Sequence, residues 1–161
     1  MKKSIPGKTK QRGVSWKNYV FQSLFATVAL FTVFLFLSME HVVIIASIGA
    51  TVFIVFAMPK NITAKPRNVI GGHLVGLISG SLCSLIPHSL FLSSIIIYSF
   101  AVGLSIFVMV VTDTEHPPAS GTALGIATTG FSPDATIAVI TSVIILSLIH
   151  YFFKPHLKDL T

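Results

Sequence analysis

The chain has 161 residues, of which 53% are hydrophobic and only 10% charged, with a mean hydropathy of +0.86. Soluble domains carry about a quarter charged residues, so a globular fold wetted on all sides is excluded and a lipid-embedded bundle is expected. Eleven Lys and Arg against five Asp and Glu give a net charge of +6; the basic residues flank apolar runs, which reads as a topology signal and not as a nucleic-acid surface.

Residues 1–18 form a basic segment containing Lys2, Lys3, Lys8, Lys10, Arg12 and Lys17. Such a tail is expected on the cytoplasmic side, where it can rest against anionic headgroups. Residues 19–39 lack Asp, Glu, Lys and Arg. The run exceeds the ~7–15 residues of a signal-peptide core and has no small-residue cleavage site after it, so it is read as a permanent span. Glu40 and His41 make a polar break before a second uncharged run, 41–59, which ends at a loop carrying Lys60, Lys65 and Arg67. Residues 68–112 are again uncharged, long enough for two spans hinged at Pro87, His88 and Ser89. Asp113 and Glu115 precede a short Gly-, Ala- and Thr-rich segment, 117–130, and a last apolar run covers 135–153 before the basic tail 154–161 with Lys154 and Lys158.

The expected fold is an all-α integral membrane protein with five to six transmembrane helices over residues 19–153. The short segment is the ambiguous one. As a helix it would reach about 21 Å, less than the ~30 Å hydrocarbon thickness. If it crosses, all the basic segments fall on one side. That favours six passages, with both termini cytoplasmic, in a bacterial plasma membrane. Residues 19–86 and 89–153 would then be two three-helix halves of opposite orientation, a 3+3 inverted repeat.

Three constellations stand out. Gly72, Gly76 and Gly80 recur every four residues and line one helix face, which suits close helix packing. His73, beside them, is an ionisable group inside an apolar span; it is expected either to face a cavity or a partner or, being close to the basic loop, to reach the membrane interface. The second is Thr114, Glu115, His116, Pro117, Pro118, Ala119, Ser120, Gly121 and Thr122. Two prolines read as a sharp helix start, whose free first-turn N–H groups would attract an anion. The third is Ser47, Ile48, Gly49, Ala50 and Thr51, where the hydroxyls either bond back to their own helix or, if Gly49 breaks it, serve a central site. Cys83 is the lone cysteine, so neither an intramolecular disulfide nor a cysteine metal cluster is expected. No hydrolase triad, phosphate loop or zinc spacing occurs. His116 and Ser120 at i,i+4 do not make a nucleophile–base pair, and no enzyme activity, cofactor or metal is expected.

These residues resemble a known family. The run from Glu115 through His116, Pro117 and Pro118 to Leu124 resembles the motif that names the HPP family of integral membrane proteins. Pro66, Arg67, Asn68, Gly71, Gly72 and His73 resemble its second signature, and Ser47 to Thr51 with Pro59 its third. The family is usually described with four membrane helices, fewer than counted here, and its plastid and cyanobacterial members are associated with nitrite transport. Glu115 directly before the motif departs from the common pattern. The resemblance implies a small-anion transporter, with nitrite as the expected solute. The anion would lie among Ser47, Gly49, Ala50, Thr51, Asn68, His73, Ser120, Thr122 and the N–H groups following Pro117 and Pro118. Arg67 would attract it, and His73 and His116 would couple binding to protonation. The alternative is a non-transporting scaffold or sensor packed against a partner; assembly as a homo-oligomer is expected in either case.

Overall fold

A computed structural model describes residues 15–34, 42–87 and 90–161. The basic residues from Lys2 to Arg12, the Glu40–His41 break, and His88 and Ser89 of the expected hinge lie outside the described residues. Among the described residues, six α-helices occur: α1 Trp16–Phe34, α2 Val42–Ala57, α3 Pro66–Ser84, α4 Phe91–Val111, α5 Pro118–Thr129 and α6 Pro133–Phe153. Short 3-10 turns cover Ile62–Ala64 and Lys154–His156. Two stretches are long and apolar enough to cross a membrane by those criteria alone: α4, with mean hydropathy 2.4, and Pro133–His156, with 2.1.

Sequential helices alternate in direction, as side-chain contacts establish. Gln22 near the start of α1 reaches the carbonyl of Phe56 at the end of α2, and also Lys158 after α6. The first turns of α3 meet the 112–117 loop through Asn68 and Glu115. These ends therefore share one face of the bundle, and the start of α1 and the tail after α6 both lie there. Every described Lys and Arg stands there too. Asp134, at the start of α6, is the described charged residue at the opposite end.

The short segment is α5, a continuous helix of 12 residues and hence about 18 Å long. It survives at that length because protein, and not lipid, surrounds it. Ala119, Thr122, Ala123, Gly125, Ile126 and Ala127 are all buried against α2, α3 and α4. The glycine stripe of α3 makes this possible. A Cβ on Gly72 would lie 2.7 Å from that of His116, and one on Gly80 would lie 2.5 Å from the Ala123 carbonyl; one on Gly76 would collide with the Ala119 carbonyl. Matching residues climb together, so α3 and α5 run parallel. On the other flank Gly121 faces Ser47 and Gly125 faces Ile44, so α2 runs antiparallel. Gly72, Gly76 and Gly80 lie on the face of α3 that α5 and the loop before it approach. Gly49 differs: α2 passes through it unbroken, and a Cβ there would meet nothing within 4 Å.

The outer faces are apolar. Phe91, Leu92, Ile96, Phe100 and Phe107 of α4 and Ile78 and Leu82 of α3 are exposed, as a lipid-facing surface requires. The tail 154–161 is not loose. Leu157 is buried in the core cluster, the Leu160 N–H donates to the Ala57 carbonyl at 2.9 Å, and the Lys158 N–H donates to Gln22 Oε1 at 3.0 Å.

Overpacking a close helix contact costs ~1–3 kcal/mol, whereas Gly→Ala in an open helical position gains ~0.5–1 kcal/mol. Gly76→Ala and Gly80→Ala are therefore expected to lower thermal stability in detergent. Gly103→Ala, at a site with nothing within 4 Å, is expected to leave it unchanged or raise it.

Candidate functional site

The 112–117 loop positions the site. It leaves α4 through Asp113, whose φ of 55° lies in the left-handed region. The Thr114 N–H then reaches back to the Met109 carbonyl at 2.9 Å, a helix-ending pattern that usually takes glycine but tolerates aspartate. Arg67 braces this turn, with Nη1 3.1 Å from Asp113 Oδ2 and Nη2 donating to the Thr112 carbonyl at 3.1 Å. Asn68, buried, donates to the Glu115 carbonyl at 3.1 Å. The side chain of Thr114 fills the space over Gly71. So fixed, the chain delivers His116 into the bundle just before α5.

There His116 meets four residues from three helices. Ser47 and Thr51 come from α2 and His73 from α3, while Thr122 comes from α5; with His116 all five are at most 5% exposed. The two imidazole rings lie 5.1 Å apart at a 51° tilt. Thr51 Oγ1 sits between them, 2.9 Å from Nε2 of each. His73 Nδ1 is 2.8 Å from Thr122 Oγ1, which is 2.9 Å from Ser47 Oγ. Ser47 also donates to the Pro118 carbonyl. His116 Nδ1 lies 2.8 Å from the carbonyl of Thr63. Counting along α2 from Ala57, Thr51 and Ser47 sit about 9 and 15 Å inside the basic face, so the cluster reaches the middle of a ~30 Å core.

Five expected site residues thus converge: Ser47, Thr51, His73, His116 and Thr122. Others take different places. Ser120 turns its hydroxyl to the Pro117 carbonyl at 2.7 Å. Arg67 is exposed and paired with Asp113 at the surface, and Asn68 holds the loop backbone. Ala50 is exposed, Gly49 is half-buried, and neither touches the cluster through a side chain. The first-turn donors expected after Pro117 and Pro118 are engaged, since Ala119 N–H bonds the His116 carbonyl at 2.9 Å and Ser120 N–H the Pro117 carbonyl at 3.2 Å. Two prolines remove two donors, and the turn that they start uses the next two internally.

Several members had no sequence signal. Thr63 contributes a backbone carbonyl from an unremarkable loop. Gln22 is buried with both amide atoms engaged, tying α1 to α2 and the tail. His150 is buried, with Nε2 2.8 Å from the Pro59 carbonyl. No group of three or more His, Cys, Asp and Glu that could hold a metal exists among the described residues.

A helical bundle with apolar outer faces and a buried histidine–hydroxyl cluster defines an all-α integral membrane protein. The chain belongs to the HPP family, whose transmembrane region matches residues 11–157. It is also similar to two transmembrane proteins of Dictyostelium discoideum, one 37% identical over 82 residues and the other 32% identical over 85 residues. Those stretches are 51% and 53% of this chain but only 29% and 27% of the relatives' own lengths. No solved structure is significantly similar.

A buried donor or acceptor left unpaired costs ~1–3 kcal/mol. Thr51→Val, which strands both Nε2 atoms at once, is expected to cost at least that in detergent unfolding. Ser120→Ala should stay within about 0.5 kcal/mol, and Arg67→Ala within about 1 kcal/mol, because its ion pair is exposed.

Proposed function

We propose that this protein transports a small inorganic anion across the membrane, with nitrite the first solute to test. The observation that carries the reading is the meeting of three hydroxyls and two imidazoles from α2, α3, α5 and the preceding loop at a depth where lipid offers no hydrogen bonds. Polar groups so placed are costly and mark solute or proton paths. The chemistry suits an anion: hydroxyls and imidazole N–H groups donate, and no carboxylate belongs to the cluster. Ser47, Thr51 and Thr122 would turn their protons from internal partners to the solute. Arg67, exposed beside the loop, would draw anions to the basic face. Nitrite itself comes from the association of other family members with that ion.

The same reading places the basic face in the cytoplasm, with six passages and the 3+3 inverted repeat. Its support is that α1 to α3 and α4 to α6 run in opposite directions, and that two loosely similar segments, Ser47-Ile48-Gly49-Ala50-Thr51 and Ser120-Gly121-Thr122-Ala123, lie on the middle helix of each half. A homo-oligomer is part of the proposal.

A scaffold or sensor is the second reading, and one observation favours it. Each polar side-chain atom of the five cluster residues already has a partner within the protein, as in a structural lock.

Nitrite flux into proteoliposomes separates the two. A hydrogen bond to a charged group is worth ~1.5–3 kcal/mol, so Thr122→Val is expected to reduce uptake about tenfold or more while the protein remains folded. Uptake equal to that of protein-free vesicles sinks the transport reading for nitrite. Stability loss without any flux change in Thr122→Val supports the lock.

A further inference from the structure

The hydrogen-bond geometry around Thr51 allows a more specific statement about the two histidines. We propose that they form a single-proton site: the pair takes up one proton, held on His116, and the Thr51 hydroxyl turns from His116 to the Ser47 carbonyl as it arrives. The proposal deepens the anion-transport reading by naming the residue that would carry a co-transported proton, yet it stands on geometry that involves no solute.

The Thr63 carbonyl fixes the starting point. A carbonyl only accepts, so His116 Nδ1, 2.8 Å away, carries a proton in every state. The ring can therefore gain or lose a proton only at Nε2. A threonine hydroxyl has one proton and two lone pairs, and Thr51 Oγ1 has three partners: His73 Nε2 at 2.9 Å, His116 Nε2 at 2.9 Å and the Ser47 carbonyl at 3.1 Å.

With both rings neutral, His116 Nε2 is a lone pair and requires the proton of Thr51. None is then left for His73, so His73 carries its own proton on Nε2 and donates it to Thr51. Its Nδ1 becomes the acceptor, supplied by Thr122 Oγ1 at 2.8 Å. One assignment of protons thus runs from Thr122 to Thr63, and it places the two rings in opposite tautomers. The assignment follows from the network, as tautomers generally must.

Adding one proton has a defined consequence. It binds His116 Nε2, which now donates to Thr51. Both lone pairs of Thr51 receive ring N–H groups, and its proton turns to the Ser47 carbonyl, which already lies within reach. His73 and Thr122 keep their arrangement, and each ring nitrogen and the Thr51 hydroxyl is satisfied again; Thr122 spends its proton on His73 and Ser47 its own on the Pro118 carbonyl, so the 2.9 Å approach of the two hydroxyls carries no proton in either state. His116 is favoured over His73 as the carrier because its Nδ1–H points at a carbonyl dipole, where His73 Nδ1 faces only a hydroxyl. A second proton would set two cations with ring centroids 5.1 Å apart, which like-charge repulsion opposes.

The surroundings contain few competing charges. Neither α2 nor α5 carries a titratable side chain. On α3, Arg67 is paired with Asp113 at the surface. Half-buried Glu115 precedes His116 in the chain. Lys60 and Lys65 flank the Thr63 turn and are exposed. His150 of α6 faces Pro59, while Cys83 of α3 and Tyr98 of α4 pack with Ala127 toward the opposite end.

Ring nitrogen spectra of histidine-labelled full-length protein in lipid nanodiscs test this without any anion. From about pH 8 to about pH 4, a range that brackets the usual imidazole titration, His73 should remain an Nε2–H tautomer. His116 should pass from the Nδ1–H tautomer to imidazolium. Thr51→Ser is expected to preserve the opposed tautomers, and Thr51→Val to abolish them. Matching tautomers, both rings titrating together, titration of His73 in place of His116, or no titration above about pH 4 each overturns the proposal. So does a Thr51→Val spectrum with the wild-type tautomers. Because nothing is transported in this experiment, a failed nitrite assay leaves its outcome intact.

Discussion

The closeness of α3 to α5 governs the rest of the structure. Three glycines one helical turn apart bring the α3 backbone close, Gly76 and Gly80 onto carbonyl oxygens of α5 and Gly72 onto the Thr114 carbonyl and His116 Cβ of the loop before it. In lipid, where burial of apolar surface does not drive helices together, this kind of close packing is a main source of association. Its consequence is positional. His73, the neighbour of Gly72, is carried inward until its ring reaches Thr51 and Thr122. A larger residue at Gly72 would press on the Cβ of His116, so packing and site share the same atoms.

The second constraint is that lipid accepts no unpaired polar group. The cluster members come from α2, α3, α5 and the loop before α5, and each is satisfied only when the others are in place. The loop after α4 supplies the alignment. Its left-handed residue Asp113, the brace from Arg67 and the Asn68 bond to Glu115 all act on backbone and not on a solute. Arg67 is thus first of all a fastener for the turn that presents His116, whatever electrostatic role it has besides.

Much of this was legible in the sequence. Apolar runs between charged breaks gave α2 to α6 to within a few residues, because long uncharged runs have few alternatives in a membrane. The four-residue glycine spacing marked the α3 face, and the His and hydroxyl residues that converge came from the three singled-out motifs. Other parts were invisible for physical reasons. Gly49 signalled a break, yet an isolated glycine inside a helix costs only ~1 kcal/mol, and α2 absorbs it without interruption. The prolines at 117 and 118 marked a helix start correctly, but whether the following N–H groups stay free depends on turn geometry that no residue spacing encodes. Thr63 contributes only its backbone, and Gln22 and His150 find partners 34 or more positions away, beyond any local pattern.

The Gln22 bond to Lys158 has a bearing on how the protein is built. It joins positions 136 residues apart, with five helices made in between. Helix α1 therefore lacks this latch until α6 has followed it into the bilayer, and until then α2 holds it. Non-local closure of this kind is slow. During synthesis α1 resembles an unlatched door, open to other helices or to membrane chaperones, and the turn after α6 is the part that shuts it.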